Sequence, residues 1–332
     1  MAQDLSYGLP ALTVRGNRIV NADSGAPVLL RGINRSGLEY SSPDGEGSLE
    51  KAAITEAEMD AIVIDWRANI VRLPFNQDWA LSRPGYDAEP YLSALDSVIG
   101  MAARRGAYIL LDLQWIDAVT PRGSNSDGTP NFVPPLPNQD SLLLWQQIAR
   151  RYREETAVLY DIFNEPHDAL PDDPLDMVGI GADGSFVMLP NRTVTMAEWQ
   201  PWAAALIEAI RTEHSTALIF VSGTDWGFDL RGLPLPDVDG VVYSTHVYRN
   251  KGRDWDGAFG DLAEEQPVFA GEWGGTDTDL QWGQDLADYM ETRQLGWTAW
   301  SWSDKPRLVQ PSSAPGYVPT AFGQLVRDRL NA

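Results

Sequence analysis

Short runs of apolar residues recur along the chain at intervals of roughly 30–50 residues, and amphipathic stretches separate them. The runs are apolar on both faces, as is typical of strands that are buried on both sides of a sheet. Alternation of such strands with helices is typical of a parallel sheet. We therefore predict eight strands, at residues 28–33, 69–73, 107–113, 158–163, 217–221, 241–245, 268–271 and 297–300.

Amphipathic helices are predicted between these strands and after the last one. Thr55 precedes two glutamates and an apolar stripe, which is the pattern of an N-cap followed by an acidic first turn. The predicted helices are residues 55–66, 91–101, 142–152, 199–210, 285–295 and 320–330. Residues 227–239 are rich in proline and glycine, so no long helix is predicted there.

Eight strands alternating with helices in a chain of 332 residues predict an α/β fold, a (β/α)8 TIM barrel that forms one domain over residues 1–332. Residues 11–21 alternate around Gly16 and Asn17, which predicts a small N-terminal β-hairpin that closes the bottom of the barrel. Two long loops, residues 117–139 and 167–195, follow the third and fourth strands on the face where barrels carry their sites. We expect these loops to be functional or mobile.

Composition excludes several classes of partner and chemistry. The net charge of −22 would repel nucleic acid, and the longest apolar runs are far shorter than a membrane span. Absence of cysteine excludes disulfides, cysteine-ligated zinc and a thiol nucleophile. The three histidines form no i,i+4 pair, so we predict neither a metal nor a cofactor. Residues 1–6 contain no apolar segment, so no signal peptide is expected in this sequence.

The 13 tryptophans exceed what core packing needs, which suggests exposed platforms for stacking. We expect about half of those at or just after predicted strand ends to line a cleft and the others to pack in the core. These tryptophans are Trp79, Trp115, Trp226, Trp273 and Trp302, of which we select Trp115, Trp226 and Trp273 as candidates for binding. Tryptophans within helical patterns are expected in the core, namely Trp66, Trp145, Trp199 and Trp202.

Polar side chains stand where the apolar runs end, and in a barrel these ends converge on one cavity. The residues so placed are Arg72, Asp112, Gln114, Asn164, Glu165, His246, Tyr248, Glu272 and, at the end of the eighth strand, Trp300. A pair of glutamates at different strand ends indicates glycoside hydrolysis, because one carboxylic acid protonates the leaving oxygen while one carboxylate acts at the opposite face of the sugar. Carboxyl groups about 5–5.5 Å apart would make the second a nucleophile and retain the configuration.

The two glutamates need different environments for these roles. Arg72 and Tyr248 are suited to hold Glu272 ionised, through opposite charge and a donated hydrogen bond. We expect Glu165 to be protonated partly because a neighbouring carboxylate is charged.

Six stretches occur in the order and spacing of a known barrel family over nearly the whole chain: RGIN at 31–34, NIVRLP at 69–74, NEPHD at 164–168, YSTHVY at 243–248, GEWG at 271–274 and WSW at 300–302. The chain resembles the glycoside hydrolases of family 5, the cellulase family, whose two catalytic glutamates follow strands four and seven. This resemblance implies a retaining mechanism, with Glu165 as acid/base and Glu272 as nucleophile. It also implies action on β-1,4-glucan, in the manner of an endoglucanase.

The resemblance implies roles for the surrounding residues as well. Asn164 resembles the residue that hydrogen-bonds the 2-hydroxyl of the cleaved sugar, and His246 resembles the one that orients the acid/base and contacts sugar. Arg72 and Tyr248 resemble the partners of the nucleophile. Trp300 resembles the stacking platform under the cleaved sugar.

Of two further positions, Lys305 matches some members of the family and Gln114 departs from the usual pattern. Lys305 matches a position that binds sugar in the next subsite of some relatives. Gln114 stands where the family usually has histidine, two residues after the third-strand Asp112. Glutamine can hydrogen-bond a sugar hydroxyl but cannot become cationic, which affects binding at the cleavage subsite.

Other functions remain open at this stage. A β-mannanase or an exo-acting β-glucosidase would share the same residues, and Gln114 motivates the alternative of a non-catalytic carbohydrate-binding barrel. A metal-dependent barrel hydrolase is a third class. Because polysaccharides lie outside cells, we expect an extracellular protein. We also expect a monomer, whose partner is a β-glucan polysaccharide or oligosaccharide.

Overall fold

The predicted barrel of eight parallel strands is confirmed by the computed structural model, which describes residues 7–118, 133–168, 178–180, 186–188, 193–311 and 314–332. In chain order the strands are β1 (Leu12–Arg15), β2 (Arg18–Asn21), β3 (Arg31–Asn34), β4 (Ile70–Asn76), β5 (Tyr108–Trp115), β6 (Val158–Asp161), β7 (Val178–Ile180), β8 (Phe186–Met188), β9 (Ile219–Ser222), β10 (Val241–Tyr248), β11 (Val268–Gly274) and β12 (Gly296–Ala299). The barrel contains β3 to β6 and β9 to β12, and it closes where β12 pairs with β3.

Helices pack around the outside of the barrel, as the periodicity predicts. They are α1 (Ser48–Ala52), α2 (Glu56–Met59), α3 (Gln77–Ala80), α4 (Glu89–Ala103), α5 (Gln139–Tyr152), α6 (Met196–Glu213), α7 (Leu280–Thr292) and α8 (Ala321–Asn331). The predicted N-cap at Thr55 is confirmed, because its side chain accepts the N–H of Glu58. The first predicted helix changes to a π-helical turn at Asp60–Asp65. Residues 227–239 contain turns and bridges without a helix, as predicted.

The predicted N-terminal hairpin is confirmed as β1 and β2. Leu12 joins an apolar cluster that fills the barrel interior at the amino ends of the strands, in which Phe220 and Phe269 meet edge to face with ring centroids 5.2 Å apart. The hairpin therefore covers this end of the barrel, as predicted, and leaves the carboxyl ends of the strands open at the opposite end.

Four of the barrel strands are longer at their carboxyl ends than the sequence predicts. β4, β5, β10 and β11 reach Asn76, Trp115, Tyr248 and Gly274. The sequence predicts strand ends at the polar residues, but in the structure these residues continue the ladder. The candidate site residues in these strands are therefore fixed by backbone pairing rather than by loops.

The two long predicted loops lie partly outside the described residues, which omit 119–132, 169–177, 181–185 and 189–192. Within the second, β7 and β8 form an antiparallel pair. Among the described residues, no helix has both the length and the hydrophobicity that crossing a membrane requires.

Candidate active site

Glu165 and Glu272 meet at the open end of the barrel, although 107 positions of sequence separate them. Glu165 follows β6, and Glu272 lies within β11. One carboxylate oxygen of each lies within 4.8 Å of the other, and His246 is within the same distance of both. This short separation is of the size at which one carboxylate attacks the sugar directly, rather than through a water.

Both oxygens of Glu272 receive hydrogen bonds. Nη1 of Arg72 donates to Oε1 at 2.8 Å, and the hydroxyl of Tyr248 donates to Oε2 at 2.6 Å. The side chain of Glu272 is only 5% exposed. Charge-assisted bonds of this kind fix the orientation of a carboxylate, so Glu272 has little freedom to turn.

Arg72 is fully buried and joins several strands through one guanidinium group. Besides Glu272, it donates to Oδ1 of Asn34 at 2.9 Å and to Oδ1 of Asn164 at 2.8 Å. The hydrogen bond to Asn164 occupies its side-chain oxygen and fixes its orientation. The amide nitrogen of Asn164 then remains as a donor for another group. The planar fork of an arginine is what allows one residue to bind these partners at the same time.

Two more carboxylates contact Arg72, namely Asp112 and Asp161, each at 2.9 Å. Burial by itself would lower the pKa of Arg72, but Asp112, Asp161 and Glu272 together raise it above its usual range. Burial raises the pKa of Asp112 and of Asp161, and the charge of Arg72 opposes this. The guanidinium therefore stays charged, and its positive charge opposes the effect of burial on each carboxylate in the cluster.

Glu165 has a different environment. Burial raises its pKa from 4.5 to about 7, and this exceeds the opposing effects of Arg72, His167 and Lys251. The predicted protonation is thus supported, but its main cause is desolvation rather than a charged neighbour. A carboxyl group that titrates near neutral pH can both give and take a proton there.

His246 connects the two glutamates. Its Nδ1 lies 2.9 Å from Oε1 of Glu165 and 3.8 Å from Oε1 of Glu272. Burial lowers the pKa of His246 to about 4, so the ring is neutral at ordinary pH. A neutral ring with one hydrogen bond to Glu165 orients the acid without adding a charge.

Two glycines make room for the His246 ring. A Cβ on Gly227 would lie 2.8 Å from Cγ of His246, and a Cβ on Gly271 would lie 2.3 Å from Oγ of Ser244 and 3.1 Å from Nε2 of His246. The pairing of β10 with β11 shifts register beside Gly271, and such bulges re-aim the following side chain. The bulge explains how Glu272 comes to point at the neighbouring His246.

A cavity of about 620 Å³ lies above the two glutamates. Aromatic side chains form much of its wall, namely Tyr40, Trp115, Trp226 and Trp300. Stacked with His167 at a centroid distance of 4.0 Å, Trp226 has a fixed ring plane. Flat aromatic faces around paired carboxyl groups suit a sugar, whose C–H faces stack on them.

Comparison with known proteins identifies the family of the chain. The family model for Cellulase (glycosyl hydrolase family 5) matches residues 22–306, which is most of the chain. The chain belongs to glycosyl hydrolase family 5.

Several curated relatives are named endoglucanases. The chain is 26% identical to endoglucanase E-5 of Thermobifida fusca, over 93% of this chain and 61% of that protein. It is also 26% identical to endoglucanase MaCel5A of a Microbulbifer species, over 88% of this chain and 51% of that protein. The chain thus spans between half and two thirds of the length of these relatives.

Solved structures confirm the fold. The catalytic domain of the Thermobifida fusca endoglucanase matches with a TM-score of 0.69 and 24% identity, covering 98% of both chains. A β-glucanase from Saccharophagus degradans, solved in complex with cellotetraose, matches with a TM-score of 0.72 and 20% identity, covering 97% of this chain and 93% of that one.

The structure places most predicted site residues of this family 5 chain around one cavity. Gln114, Trp115, Trp226 and Trp300 line it together with both glutamates. The side-chain oxygen of Gln114 is buried and has no hydrogen-bond partner among the described residues. The tryptophans predicted in helical core positions are buried or partly buried there.

Trp273 and Lys305 lie elsewhere. Trp273 is fully buried and packs edge to face against Trp297 and Phe322, so its selection as a cleft residue is corrected. The physical reason is strand alternation, since Trp273 follows Glu272 and points to the opposite face of β11. Lys305 is exposed and lines an adjoining cavity.

Sequence reasoning missed residues that complete the family 5 site. Asp161 was passed over inside an apolar strand, although an acid in such a run is itself a signal of a buried partner. Tyr40 carries no signal, because it reaches the cavity from the turn Leu38–Tyr40 after β3. Lys251 also lines the cavity, with its ammonium group paired to Asp225 at 2.8 Å.

Proposed function

We propose that this chain, as one catalytic domain over residues 1–332, is a retaining endo-β-1,4-glucanase. The observation that carries the proposal is the pair of glutamates within 4.8 Å of one another in unlike environments. Glu272 accepts two hydrogen bonds that favour its charged form, whereas burial raises the pKa of Glu165 to about 7. A charged nucleophile beside a protonated acid is what double displacement at a glycosidic bond requires.

In the first step, an oxygen of Glu272 attacks the anomeric carbon and the glycosidic C–O bond breaks. Glu165 transfers its proton to the departing oxygen, which leaves as a neutral hydroxyl, and the sugar remains as an ester of Glu272. His246 would hold the carboxyl group of Glu165 in the orientation for this transfer.

In the second step, the ionised Glu165 takes a proton from a water while the water oxygen bonds to the anomeric carbon. The ester bond breaks, and Glu272 returns as a carboxylate bound to Arg72 and Tyr248. Two inversions at the same carbon retain its configuration. Asn164, with its amide nitrogen free to donate, is placed to bind a sugar hydroxyl beside the reacting carbon.

The choice of β-1,4-glucan rests on relatives. Several curated relatives are endoglucanases, and cellotetraose is bound in solved structures of a Saccharophagus degradans β-glucanase and a Thermobifida fusca endoglucanase variant. Mannan and exo-acting cleavage use the same paired carboxylates, so chemistry alone does not select among them.

Product profiling tests the substrate and the mode of attack together. Chromatography of digests of cellulose derivatives, mixed-linkage β-glucan and mannan should give a ladder of β-1,4-gluco-oligosaccharides and little from mannan. Glucose as the sole early product would replace endo by exo action. Absence of release from every β-glycan over a range of pH would favour the non-catalytic carbohydrate-binding barrel.

We further propose that the protein acts outside the cell as a monomer. A polymeric substrate cannot enter cells, so its hydrolase must reach it outside. Few large apolar side chains are exposed among the described residues, as expected without a permanent partner. They are Leu29, Tyr40, Ile64, Leu143 and Val318. Light scattering after size-exclusion chromatography, together with fractionation of the source culture, tests both statements.

A further inference from the structure

A second cavity, of about 840 Å³, adjoins the catalytic one. It lies beyond the carboxyl ends of β10, β11 and β12, and its walls come from residues 248–250, 274–277 and 305–307 with Thr320. Tyr248 and Asn250 line both cavities, so a chain that leaves the catalytic centre on this side passes directly into the second. We call this second space the basic cavity.

The charges that line the basic cavity are mostly positive. Its cations are Arg249, Lys305 and Arg307, and among its described lining residues Asp277 is the one acid. Arg249 pairs with Asp279, which lies outside the lining, at 2.8 Å. Oδ1 of Asp277 accepts the N–H of Phe322. Lys305 and Arg307 form no ion pair with any carboxylate in the part of the chain that the structure describes.

This concentration of positive charge contrasts with its surroundings. The whole protein carries a net charge of −22. The catalytic cavity next door is lined by four acids and one lysine, and that lysine is already paired. Lys305 and Arg307, which have no carboxylate partner among the described residues, lie in a concave surface of an acidic protein, where such cations create a local field that attracts an anion. Solubility does not account for them, because the protein obtains its solubility from excess negative charge.

The floor of the basic cavity is apolar. Gly274 has no side chain, and a Cβ there would lie 2.7 Å from Cε1 of Tyr248 and 2.9 Å from Cγ of Pro306. The rings of Tyr248 and Pro306 can therefore approach one another across the glycine. An apolar floor with a cationic rim suits a pyranose ring whose C–H groups face the floor and whose acidic substituent faces the rim.

We propose that the basic cavity binds a sugar unit that bears a carboxylate, next to the sugar that is cleaved. The chain would then act preferentially on glucans with acidic substituents such as uronic acids. This inference rests on the proposed hydrolase function, which it deepens by naming a substrate class.

Two ethers of one backbone separate charge from shape. Carboxymethylcellulose is anionic and hydroxyethylcellulose is neutral, and they can be matched in degree of substitution. Arg307→Glu reverses one charge of the basic cavity. Arg15→Glu makes the same change on an exposed residue of β1, which belongs to the hairpin at the other end of the barrel. Thermal melting tests whether both variants fold. If Arg307→Glu does not fold, Arg307→Gln replaces it.

The ratio of kcat/KM on the anionic ether to that on the neutral ether should fall about fivefold in Arg307→Glu, since single charge pairs in contact with solvent are individually weak. It should be unchanged in Arg15→Glu. Added salt should reduce the wild-type preference, because exposed charges are screened. An equal ratio in wild type and Arg307→Glu would overturn the inference while leaving the proposed hydrolase function intact.

Binding gives a second readout that does not need turnover. Titration calorimetry of wild type and Arg307→Glu with both ethers should show weaker binding of the anionic ether alone. If wild type hydrolyses neither ether but shows this pattern, the proposed function fails and the inferred binding site stands. If wild type binds both ethers equally and Arg307→Glu does the same, the inferred site is refuted.

Discussion

Nδ1 of His246 lies 2.9 Å from Oε1 of Glu165, and burial lowers the pKa of this histidine to about 4. Glu165, the proposed acid, is thus oriented by a neutral group and keeps a proton to about pH 7. His246 sets the orientation of the carboxyl group, whereas burial of Glu165 sets its pKa. The pH dependence of activity and stability follows from the second of these.

The rate of cleavage should fall as pH rises through about 7. Glu165 can protonate a leaving oxygen only while it holds its own proton, and its pKa is about 7 because it is buried. The pH profile of kcat on an unactivated glucan should therefore show an alkaline limb near this value. On an aryl glycoside with a good leaving group, Glu165→Ala should retain much of its bond-breaking rate, because little protonation is needed. Equal loss on both substrates would count against the acid role.

Stability should respond to the same group. The folded protein keeps a proton on Glu165 that the unfolded chain releases from about pH 4.5 upward, so the contribution of this group to stability falls between pH 4.5 and about 7. Urea denaturation at several pH values measures this. Glu165→Gln has no titrating carboxyl, so its curve should lack that decline, and an unchanged pH dependence would contradict the assignment.

Glu272→Gln should abolish turnover and keep oligosaccharide binding. The amide has nearly the shape of the carboxylate, but it cannot attack the anomeric carbon, and loss of a nucleophile lowers kcat on the order of 10⁴-fold or more. Steady-state rates on a soluble β-glucan and calorimetric titration with cello-oligosaccharides check the two halves of this statement. Activity near the wild-type level would show that another residue is the nucleophile.

Gly271→Ala should raise the activation free energy for kcat more than it lowers the free energy of unfolding. The added methyl group would lie 2.3 Å from Oγ of Ser244 and 3.1 Å from Nε2 of His246, so the histidine must move. Misplacement of a catalytic group by about 1 Å costs about 100-fold in rate. Gly283→Ala in α7 is a matched control, because its new Cβ would approach Phe322 on the outside of the barrel. Comparable rates in the two variants would disprove the packing argument.

Arg72→Met should destabilise the fold as well as the site. It leaves Asp112, Asp161 and Glu272 buried without their cation, and breaking a buried ion pair on one side costs about 3–5 kcal/mol. Arg72→Lys keeps the charge but cannot bind all the partners of the fork, so it should be intermediate in stability and remain poorly active. Urea denaturation followed by circular dichroism measures the loss. Wild-type stability in Arg72→Met would mean that the carboxylates are neutral without the arginine.

Activity should survive treatment with a chelator. Glu165, His246 and Glu272 have the residue types and closeness of a metal site. However, both oxygens of Glu272 already accept hydrogen bonds, and the nearby guanidinium of Arg72 would repel a cation. Rates before and after dialysis against EDTA, with and without added divalent ions, are the measurement. Loss that Mn²⁺ or Zn²⁺ restores would assign a metal role to these residues.

Hydrophobic pattern was sufficient to predict the barrel strands and the end at which the site lies, because burial on both faces leaves an unmistakable run of apolar residues. It was not sufficient for side-chain direction near the strand ends. Trp273 is the clearest case: its neighbour Glu272 enters the cavity, and alternation sends the indole into the core.

Other parts of the site depend on contacts that no local pattern encodes. Tyr40 reaches the cavity from a turn after β3, and the cause of the raised pKa of Glu165 is burial by the whole barrel mouth. Likewise, the bulge at Gly271 requires knowledge of how β10 and β11 pair. These are tertiary properties, and a linear reading of the chain could not supply them.

The cluster centred on Arg72 binds together side chains from β3, β4, β5, β6 and β11. The proposed catalytic centre is therefore part of the barrel framework, whereas the walls of the two cavities come largely from segments beyond the strand ends. Engineering can exploit this division. Grafting new segments onto the rim should change which polymer is accepted. The proposed catalytic residues, which are held by five strands of the barrel, should keep their arrangement.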